Sequence, residues 1–392
     1  MKKNNVVLLI ALYFPPAAGI GTFRITKFAK YLKKLGYEPV IVSPNRKYYT
    51  NLDDTLLDDL KGIKRYEIDL IEDNSKLEKR FYKSLIKEMN NIYSETKFSK
   101  VFITGGPFYY LQIGPFIRKK YGINYIADFR DPWSLQKTID GNILKKMKNI
   151  IYKKVAHVIE KNIFKYSSYI TVVNDTMKDD YSKAFPQYKD KIVCISNAID
   201  LDDYVNAEPL RYSNITILYT GKFSTSSGFR NPTNFLIALK DINEKAKDVI
   251  RFVHVGYIEE VVVNIVKELK CENFVDFYGN CSYKDTISYC KGADILLILS
   301  TKERCEQTGK IYDYLGCKRK ILAISNRNNE IYKMCNRYNI LVANPDDVSD
   351  IKNKINILLK TKDIEYKGEF NTRESETKKL IDLLDTMDGG IV

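Results

Sequence analysis

The chain has 392 residues, of which 44% are hydrophobic, so it is not a disordered protein and is long enough for two domains of ordinary size. Its 63 lysine and arginine residues against 49 acidic ones give a formal net charge of +14, which favours an anionic partner such as acidic lipid, nucleic acid or a phosphorylated substrate. A genome biased towards lysine codons would give the same excess, and both explanations stay open. Seven cysteines without CxxC spacing and only two histidines exclude a recognisable zinc motif and favour free thiols in a reducing compartment.

The first apolar run, residues 6–14, follows a short basic start and has the composition of a signal-peptide core. Pro15 and Pro16 interrupt it, and a glycine-containing turn and an amphipathic helix over residues 22–35 follow at once. We therefore predict a buried first strand rather than a signal peptide. No apolar run approaches the ~20 residues that a membrane-spanning helix requires.

Short apolar runs alternate with helical stretches along the whole chain, a pattern typical of βαβ units. Runs this apolar suit strands that are covered on both faces, and therefore parallel sheets. The predicted strands are residues 6–14, 39–43, 101–105, 125–129, 169–173 and 192–196 in the first half, and 215–220, 251–256, 274–279, 295–300, 320–325 and 340–343 in the second. The predicted fold class is α/β with mostly parallel sheets.

The polar and acidic segment 197–204 is the predicted boundary between the two halves, because it is turn-forming and a new strand starts soon after it. The predicted domains are residues 1–197 and 205–370. Residues 371–392 form a charged tail that is expected to be helical around residues 378–387.

The loop after the first predicted strand contains Gly19 and Gly21 and leads into a helix that is expected to begin near Thr22. Glycines let the backbone approach a ligand closely, and the free amides of a helix N-terminus favour an anion. Arg24 would add a charged contact. A tight strand-to-helix turn without a ligand explains the two glycines equally well.

Residues 127–133 place Asp128, Arg130, Asp131 and Trp133 together at the end of a predicted strand, with Pro132 fixing the turn. Such a density of charged and aromatic groups seldom serves packing alone. The alternative is a self-satisfied Arg–Asp corner beneath the tryptophan.

The segment 142–164 combines an apolar helical face with six lysines and a single acid, Glu160. Its apolar residues are Ile143, Met147, Ile150, Ile151, Val155, Val158 and Ile159. The pattern fits an interfacial helix drawn to anionic lipid, and it fits equally a domain helix whose apolar side lies in the core.

In the second half, Lys222 and Arg230 flank the loop after predicted strand 215–220, at the strand end where open α/β sheets bind their ligands. Two cations there would neutralise a departing diphosphate as charge develops on it. A pair of solvated surface cations is the alternative.

A second polar segment, residues 307–317, follows predicted strand 295–300 and precedes a helix. The backbone amides near Thr308, Gly309 and Lys310 are suited to phosphate, and Asp313 to a ribose diol. A solvated carboxylate in the first helical turn would explain Asp313 without a ligand.

In this order, the segments resemble the retaining GT-B glycosyltransferases of family four, in their bacterial glycan-assembly branch, over nearly the whole chain. Residues 127–133 are similar to that family's Asp-Phe-Arg-Asp-Pro-Trp signature, 196–200 to its Asn-Gly-Val-Asp linker, and 308–315 to its Thr-Gly-Lys-Leu-Phe-Glu-Tyr-Leu segment. Gly221 and Lys222 stand where its Gly-Arg or Gly-Lys holds the diphosphate, and Gly19 and Gly21 look like its first loop.

The resemblance implies two Rossmann-like domains that face across a cleft, with the final helix returning to the first. It implies retaining transfer of a hexosyl or N-acetylhexosaminyl group from a nucleotide diphosphate donor, expected to be a UDP-sugar. The expected acceptor is a polyprenyl-diphosphate-linked or other glycan in surface polysaccharide synthesis, such as capsule or O-antigen. No cofactor or metal is implied, and the expected location is cytoplasmic, peripheral on the inner face of the plasma membrane.

The residues to which this resemblance gives roles fall into three groups. The catalytic group is Asp128, Asp131, Lys222 and Arg230. The donor-binding group is Gly19, Gly21, Lys222, Arg230, Gly279, Thr308, Gly309, Lys310 and Asp313. The acceptor-binding group is Thr22, Arg24, Arg130 and Trp133.

The chain departs from the family at two points. Cys305 stands where the family often has the first of two glutamates, and Glu303 or Glu306 is the candidate replacement. The usual active-site histidine has no clear counterpart, since His157 lies within the basic helix. A UDP-sugar 2-epimerase and a non-catalytic basic membrane adaptor are the alternative functions, and the absence of a known reading motif disfavours nucleic-acid binding.

Overall fold

The computed structural model describes residues 5–136, 142–205, 207–225, 228–306, 308–362 and 365–387. The chain divides into two compact units, Met1–Asn197 with Arg373–Val392, and Ala198–Thr372. Each unit is built around one large sheet of parallel strands, which confirms the predicted α/β class with two Rossmann-like domains.

The first unit contains a seven-stranded sheet. Its strands are β1 (Val6–Ala11), β2 (Glu38–Pro44), β3 (Lys64–Ile68), β4 (Lys100–Gly105), β5 (Asn124–Phe129), β6 (Tyr169–Val172) and β7 (Ile192–Cys194). They lie in the order β3-β2-β1-β4-β5-β6-β7, and every neighbouring pair is parallel. The order reverses between β1 and β4, so the loops at the carboxyl ends of these strands border the crevice where such sheets bind ligands.

Strand β1 shows why this sheet forms. Leu8 and Ile10 belong to one buried cluster, whereas Val7 and Leu9 belong to another. Because successive side chains of a strand point to opposite faces, both faces of the sheet are covered and the strand is apolar throughout.

Helices cover the two faces of this sheet. They are α1 (Ile20–Lys34), α2 (Leu77–Thr96), α3 (Ile113–Tyr121), α4 (Ile143–Tyr166) and α5 (Asp175–Ala184), with short 3-10 helices at Arg46–Tyr48, Asp54–Leu60, Tyr109–Gln112 and Pro186–Lys191. A helix from the end of the chain, Arg373–Thr386, also packs on this unit. Its Leu380 and Leu384 lie in one buried cluster with Phe28 and Leu32 of α1.

The second unit repeats the plan with six parallel strands. They are β8 (Thr216–Thr220), β11 (Arg251–Val255), β12 (Val275–Phe277), β13 (Ile295–Leu299), β14 (Lys320–Ile324) and β15 (Leu341–Ala343), and a separate two-stranded ribbon pairs β9 (Ser224–Thr225) with β10 (Gly228–Phe229). The order is β12-β11-β8-β13-β14-β15, so here the reversal lies between β8 and β13.

The helices of the second unit alternate with its strands, apart from α6, which precedes the first of them. They are α6 (Asp202–Val205), α7 (Thr233–Asn243), α8 (Glu260–Glu268), α9 (Tyr283–Gly292), α10 (Lys310–Gly316), α11 (Glu330–Arg337) and α12 (Val348–Lys360), and the terminal helix is α13. The boundary segment belongs to this unit, where the ring of Tyr204 lies against Gly316 so closely that a Cβ there would be 2.4 Å from it.

Two local predictions differ from the structure. Strand β3 was not predicted, because its sequence is charged and only Ile68 of the strand is fully buried, as befits the edge of a sheet. Helix α1 begins at Ile20 rather than near Thr22, with Gly19 as its N-cap. Gly19 has a φ of +113° there, a conformation that glycine adopts without strain.

The basic helix, α4, is buried only at a few positions of its second half. Ala156, Glu160, Ile163 and Phe164 face the interior. Of the apolar residues that the sequence places on one face, only Ile159 is partly buried and the other six are exposed. The interpretation of this face as part of the core is therefore wrong. None of the helices in the described ranges is both long enough and apolar enough to cross a membrane.

Candidate functional site

Three glycines form the floor of a loop cluster at the carboxyl ends of β8, β11 and β12. Gly221 and Gly256 approach so closely that a Cβ on Gly256 would lie 2.8 Å from the Gly221 Cα. The Gly256 amide donates to the carbonyl oxygen of Gly279 over 2.7 Å, which brings the predicted donor-binding Gly279 into the same cluster. Both Gly221 and Gly256 also have a positive φ, so side chains are excluded here by space and by backbone conformation.

Lys310 lies beneath this floor. A Cβ on Gly221 would be 3.3 Å from its Cε, and its Nζ sits 3.7 Å from the centre of the Tyr219 ring. Among the described residues this buried ammonium group has no hydrogen-bond acceptor. Burial, reinforced by the positive charge of Arg230, holds the pKa of Lys310 well below its usual range. An unpartnered buried cation is costly, and a bound anion would relieve that cost.

Arg230 is held by an acidic partner from another loop. Its Nη2 and Nε donate to the Glu306 Oε1 over 2.6 and 3.0 Å. The other oxygen of Glu306 accepts from the amide and the hydroxyl of Thr301, over 2.6 and 2.8 Å. The pair fixes the loop that leads into α10 against the β9–β10 ribbon.

Lys222 is the exposed cation of the cluster. Its Nζ lies 5.2 Å from the centre of the Tyr257 ring, and within the parts of the chain that the structure describes it forms no ion pair. Its backbone carbonyl oxygen accepts a hydrogen bond from the Tyr219 hydroxyl over 2.8 Å. The side chain is thus the most available positive charge at this edge of the sheet.

The sequence did not single out two residues that shape this loop. His254 is fully buried and its Nε2 lies 2.8 Å from the Gly221 carbonyl oxygen, so the ring proton is on Nε2, and burial lowers the pKa of the ring. Glu259 accepts from the amides of Phe223 and Ser224, over 2.6 and 3.0 Å. No sequence motif marks either residue, because both bond to backbone groups that are distant in sequence and come close only in the folded chain.

The remaining predicted donor-binding residues lie at the start of α10. Thr308 is buried and Gly309 precedes the helix, while Gln307 lies outside the described residues. Asp313 accepts at its Oδ1 from the hydroxyls of Tyr204 and Tyr283, over 3.1 and 2.8 Å. Its predicted contact with a ribose stays a prediction.

In the first unit, Arg24 and Asp128 form a buried ion pair. The guanidinium Nη2 and Nε donate to the two carboxylate oxygens over 2.8 and 3.1 Å, and Asp128 also accepts from Thr104 and Thr171, each over 2.7 Å. Burial alone would raise the pKa of Asp128, but the guanidinium and the two hydroxyls outweigh it, so the pKa is lowered. The hydrogen bonds occupy both oxygens and tie β4, β5 and β6 to α1.

Arg130 joins two loops through their backbones. It donates to the carbonyl oxygens of Gly21, Gly105 and Gly106 over 2.5, 2.8 and 2.7 Å. Arg130 thereby links the first loop to the loop after β4. The observed role is positional, and its predicted contact with an acceptor remains to be tested.

Asp131 is the exposed carboxylate of the 127–133 segment. Although the residue as a whole is exposed, burial of its carboxyl group by the surrounding loops raises its pKa, an effect that the positive charge of Arg130 opposes. Unlike Asp128, it has no hydrogen bond to Arg24, which instead pairs with Asp128.

Two predicted acceptor residues are buried. Trp133 is 3% exposed, stacks on Phe108 with ring centres 5.5 Å apart, and donates from its Nε1 to the Tyr152 hydroxyl over 2.8 Å. Thr22 is fully buried, and its hydroxyl donates to the carbonyl oxygen of Gly19 over 2.8 Å. Both side chains are thus engaged within the fold, and their predicted contact with an acceptor stays a prediction.

Glu160, the single acid of α4, lies next to this tryptophan. Its Oε1 accepts from the Ser134 amide and the Tyr181 hydroxyl over 3.1 and 2.7 Å. Burial raises the pKa of Glu160 to about 7.

No protein-family model matches the chain, and no curated protein matches its sequence. Solved structures do share its fold. A glycosyltransferase from Rickettsia africae superposes with a TM-score of 0.62 at 18% identity, covering 98% of this chain and 96% of the other. Anabaena HepE, in complex with UDP and glucose, gives 0.60 at 11% identity and 98% of each chain. The UDP-GlcNAc 2-epimerase of Methanocaldococcus jannaschii gives 0.60 at 11%, covering 97% and 99%. The chain therefore has the two-domain GT-B fold that glycosyltransferases and these epimerases share.

Proposed function

We propose that the chain is a glycosyltransferase that transfers a sugar from a nucleotide diphosphate donor, and that the loop cluster of the second unit holds the diphosphate. The observation that carries this proposal is the buried ammonium group of Lys310, which has no acceptor among the described residues and lies directly beneath Gly221. Such a group is stabilised when an anion approaches, and it then opposes the charge that builds up on a leaving diphosphate.

The three cations of the cluster would divide this work. Lys222 is exposed and free to reach a phosphate, whereas Arg230 is already paired with Glu306 and so contributes a fixed positive field. The close approach of Gly221 and Gly256 leaves the loop backbone without side chains at this point. A phosphate can therefore come near the amides of the loop.

Several finer features belong to the same proposal. The donor is a UDP-sugar, which is supported at the level of fold by the UDP and glucose bound to HepE. The transferred group is a hexose or N-acetylhexosamine, and its anomeric configuration is retained. The acceptor is a polyprenyl-diphosphate-linked or other surface glycan. The protein acts in the cytoplasm at the inner face of the plasma membrane, and it needs no metal or cofactor.

Asp131 is the carboxylate that we assign to the reacting sugar. It is exposed at the end of β5, whereas the oxygens of Asp128 are all engaged within the fold. The roles that sequence reasoning shared between the two aspartates are thus divided: Asp128 is the positioning residue and Asp131 the catalytic candidate.

The test measures the rise in melting temperature on adding UDP for the wild type, Lys222→Ala, Lys310→Met and the control Lys284→Ala, which removes an exposed lysine of the same unit. We expect a ligand-induced rise in the wild type and the control and a clearly smaller one in the two site variants. An unchanged rise in both site variants would show that the diphosphate binds elsewhere.

A UDP-sugar 2-epimerase is the second candidate, because the solved structures of the same fold include enzymes with that name. Incubation with donor alone separates the two functions. An epimerised sugar in the absence of acceptor would favour the epimerase, whereas transfer that depends on an added acceptor favours the transferase.

A further inference from the structure

Helix α4 exposes a continuous apolar surface, which we call the outward face. It consists of Ile143, Leu144, Met147, Ile151, Val155 and Val158, each between 53% and 77% exposed. Isolated exposed apolar side chains are ordinary, but a contiguous patch of six on one helix marks a surface that contacts something else.

The outward face lies opposite the side by which α4 is attached. At about 100° per residue, positions 143, 147, 151 and 158 share one side of the helix. Ala156, Glu160 and Ile163, which are buried, fall on the other. The helix is therefore apolar on both sides, and only one of these sides is used by the fold.

The charged side chains of α4 that border the outward face are all positive. Lys148, Lys154 and Lys161 border or continue it and are exposed. The single acid of α4, Glu160, points inwards and accepts hydrogen bonds from Ser134 and Tyr181. No carboxylate of the helix therefore offsets the exposed lysines.

We propose that the outward face of α4 inserts into the interfacial region of an anionic lipid bilayer, with the surrounding lysines on the lipid phosphates. An apolar stripe flanked by lysines is the pattern of an interfacial helix. A second copy of the chain is a poorer occupant, because pairing two outward faces would bring lysines against lysines. With 24 residues, α4 is about 36 Å long, so the outward face can contact the bilayer along much of its length.

The contact would also orient the candidate catalytic segment. Tyr152 of α4 accepts the hydrogen bond of the Trp133 Nε1 over 2.8 Å, and Trp133 follows Asp131 by two residues. This hydrogen bond therefore connects the helix that would contact the bilayer to the loop that carries Asp131. This orienting step rests on the proposed function, because it gives a lipid-linked acceptor a place to meet the enzyme. The contact between α4 and the bilayer does not depend on that function.

The experiment is flotation of the full chain with vesicles of phosphatidylglycerol and phosphatidylcholine, and with vesicles of phosphatidylcholine alone. We expect binding to the anionic vesicles that weakens with added salt, and little binding to the neutral ones. Met147→Asp with Ile151→Asp should lower the partition coefficient about 100-fold, because two apolar side chains no longer enter the interface. Lys148→Glu, Lys154→Glu and Lys161→Glu together should lower it by at least about 100-fold.

Matched controls are Lys245→Glu, Lys247→Glu and Lys284→Glu, which change the net charge equally on exposed positions of the second unit. They should retain most of the binding. Equal binding of the wild type and both α4 variants, or no binding of the wild type to anionic vesicles, overturns the proposal. So does a dimer in sedimentation that Met147→Asp with Ile151→Asp dissociates. The UDP-induced rise in melting temperature should be the same in all α4 variants, which separates failure of this contact from failure of the donor site.

Discussion

The ammonium nitrogen of Lys310 lies 3.7 Å from the centre of the Tyr219 ring, in a position where no acceptor of the described chain reaches it. The ring face gives a cation some electrostatic compensation, but less than a carboxylate would. Two acids of the cluster are engaged elsewhere, Glu306 by Arg230 and Thr301 and Glu259 by the amides of Phe223 and Ser224. A protonated Lys310 therefore costs free energy of folding, and this leads to a prediction in which stability and binding move in opposite directions.

Lys310→Met should stabilise the ligand-free protein while weakening UDP binding. Replacing a buried charge by an apolar side chain of similar length removes its desolvation cost, an effect of about 1–4 kcal/mol in comparable buried sites. The free energy of unfolding from urea titration is the measurement. Lys284→Met, on an exposed lysine, should leave it unchanged within about 0.5 kcal/mol.

The pH dependence gives an independent check on Lys310. Its pKa is lowered in the folded state, so the unfolded chain binds more protons between the folded and unfolded pKa values. The wild type should therefore gain stability relative to Lys310→Met as the pH rises through that range. A stability difference that does not change with pH would contradict the assignment of a depressed pKa.

Glu306→Ala should destabilise the second unit by about 3–5 kcal/mol, because it leaves Arg230 buried without its partner and removes the acceptor of the Thr301 amide. Arg230→Met with Glu306→Leu should recover much of the loss, since no uncompensated charge then remains. Asp58→Ala is the control. Its ion pair with Lys61 is 81% exposed at both side chains, so it should cost less than about 1 kcal/mol. A double variant no more stable than Glu306→Ala would argue against this account.

The sheets were predictable from the sequence because their strands are buried on both faces, and burial of this kind requires an uninterrupted apolar run. Strand β3 was not predicted because Lys64, Arg65 and Glu67 interrupt the apolar pattern, as is common in a strand at the edge of a sheet. The position of the candidate site loops at the ends of the strands was equally predictable. The hydrogen-bond partners of the residues in these loops were not predictable. Arg230 and Glu306, for example, are 76 residues apart, and no local sequence pattern links them.

Periodicity also failed to say which way α4 faces. Apolar residues at helical spacing look the same whether they meet a core or water, because the pattern records only that they share a side. The buried side of α4 uses Ala156 and the acid Glu160, which a hydrophobicity pattern does not select. Only the packed structure distinguishes the two sides.

Asp128→Asn should act on stability rather than directly on chemistry. The change removes the charge that balances Arg24, so we expect a loss of about 3–5 kcal/mol in the free energy of unfolding. Since the pKa of Asp128 is lowered in the folded state, the wild-type advantage should be present above the unfolded pKa and should disappear as the pH falls through the folded one. Asp131→Asn, at the exposed neighbour, is the control.

That control should not lose stability, because the pKa of Asp131 is raised in the fold and the amide removes the cost of its ionised form, but it should lose turnover if Asp131 contacts the sugar. Comparing unfolding and turnover for both variants separates the positioning residue from the catalytic candidate. Full stability of Asp128→Asn together with lost activity would reverse the two roles.

Glu160→Gln should stabilise the protein at pH 8 and have little effect near pH 5. Burial raises the pKa of Glu160 from 4.5 to about 7, so the folded state holds a proton that the unfolded state has lost between these values. The stability that the protonated carboxyl supports is complete below pH 4.5 and is lost as the pH rises through 7, a cost of up to about 3 kcal/mol above it. Glutamine carries no charge and still offers an oxygen to Ser134 and Tyr181. Urea titrations across this pH range, with Glu268→Gln at an exposed site as the control, should show the gain growing with pH for Glu160→Gln alone; a gain that is constant with pH would mean that the carboxyl is already ionised inside the fold.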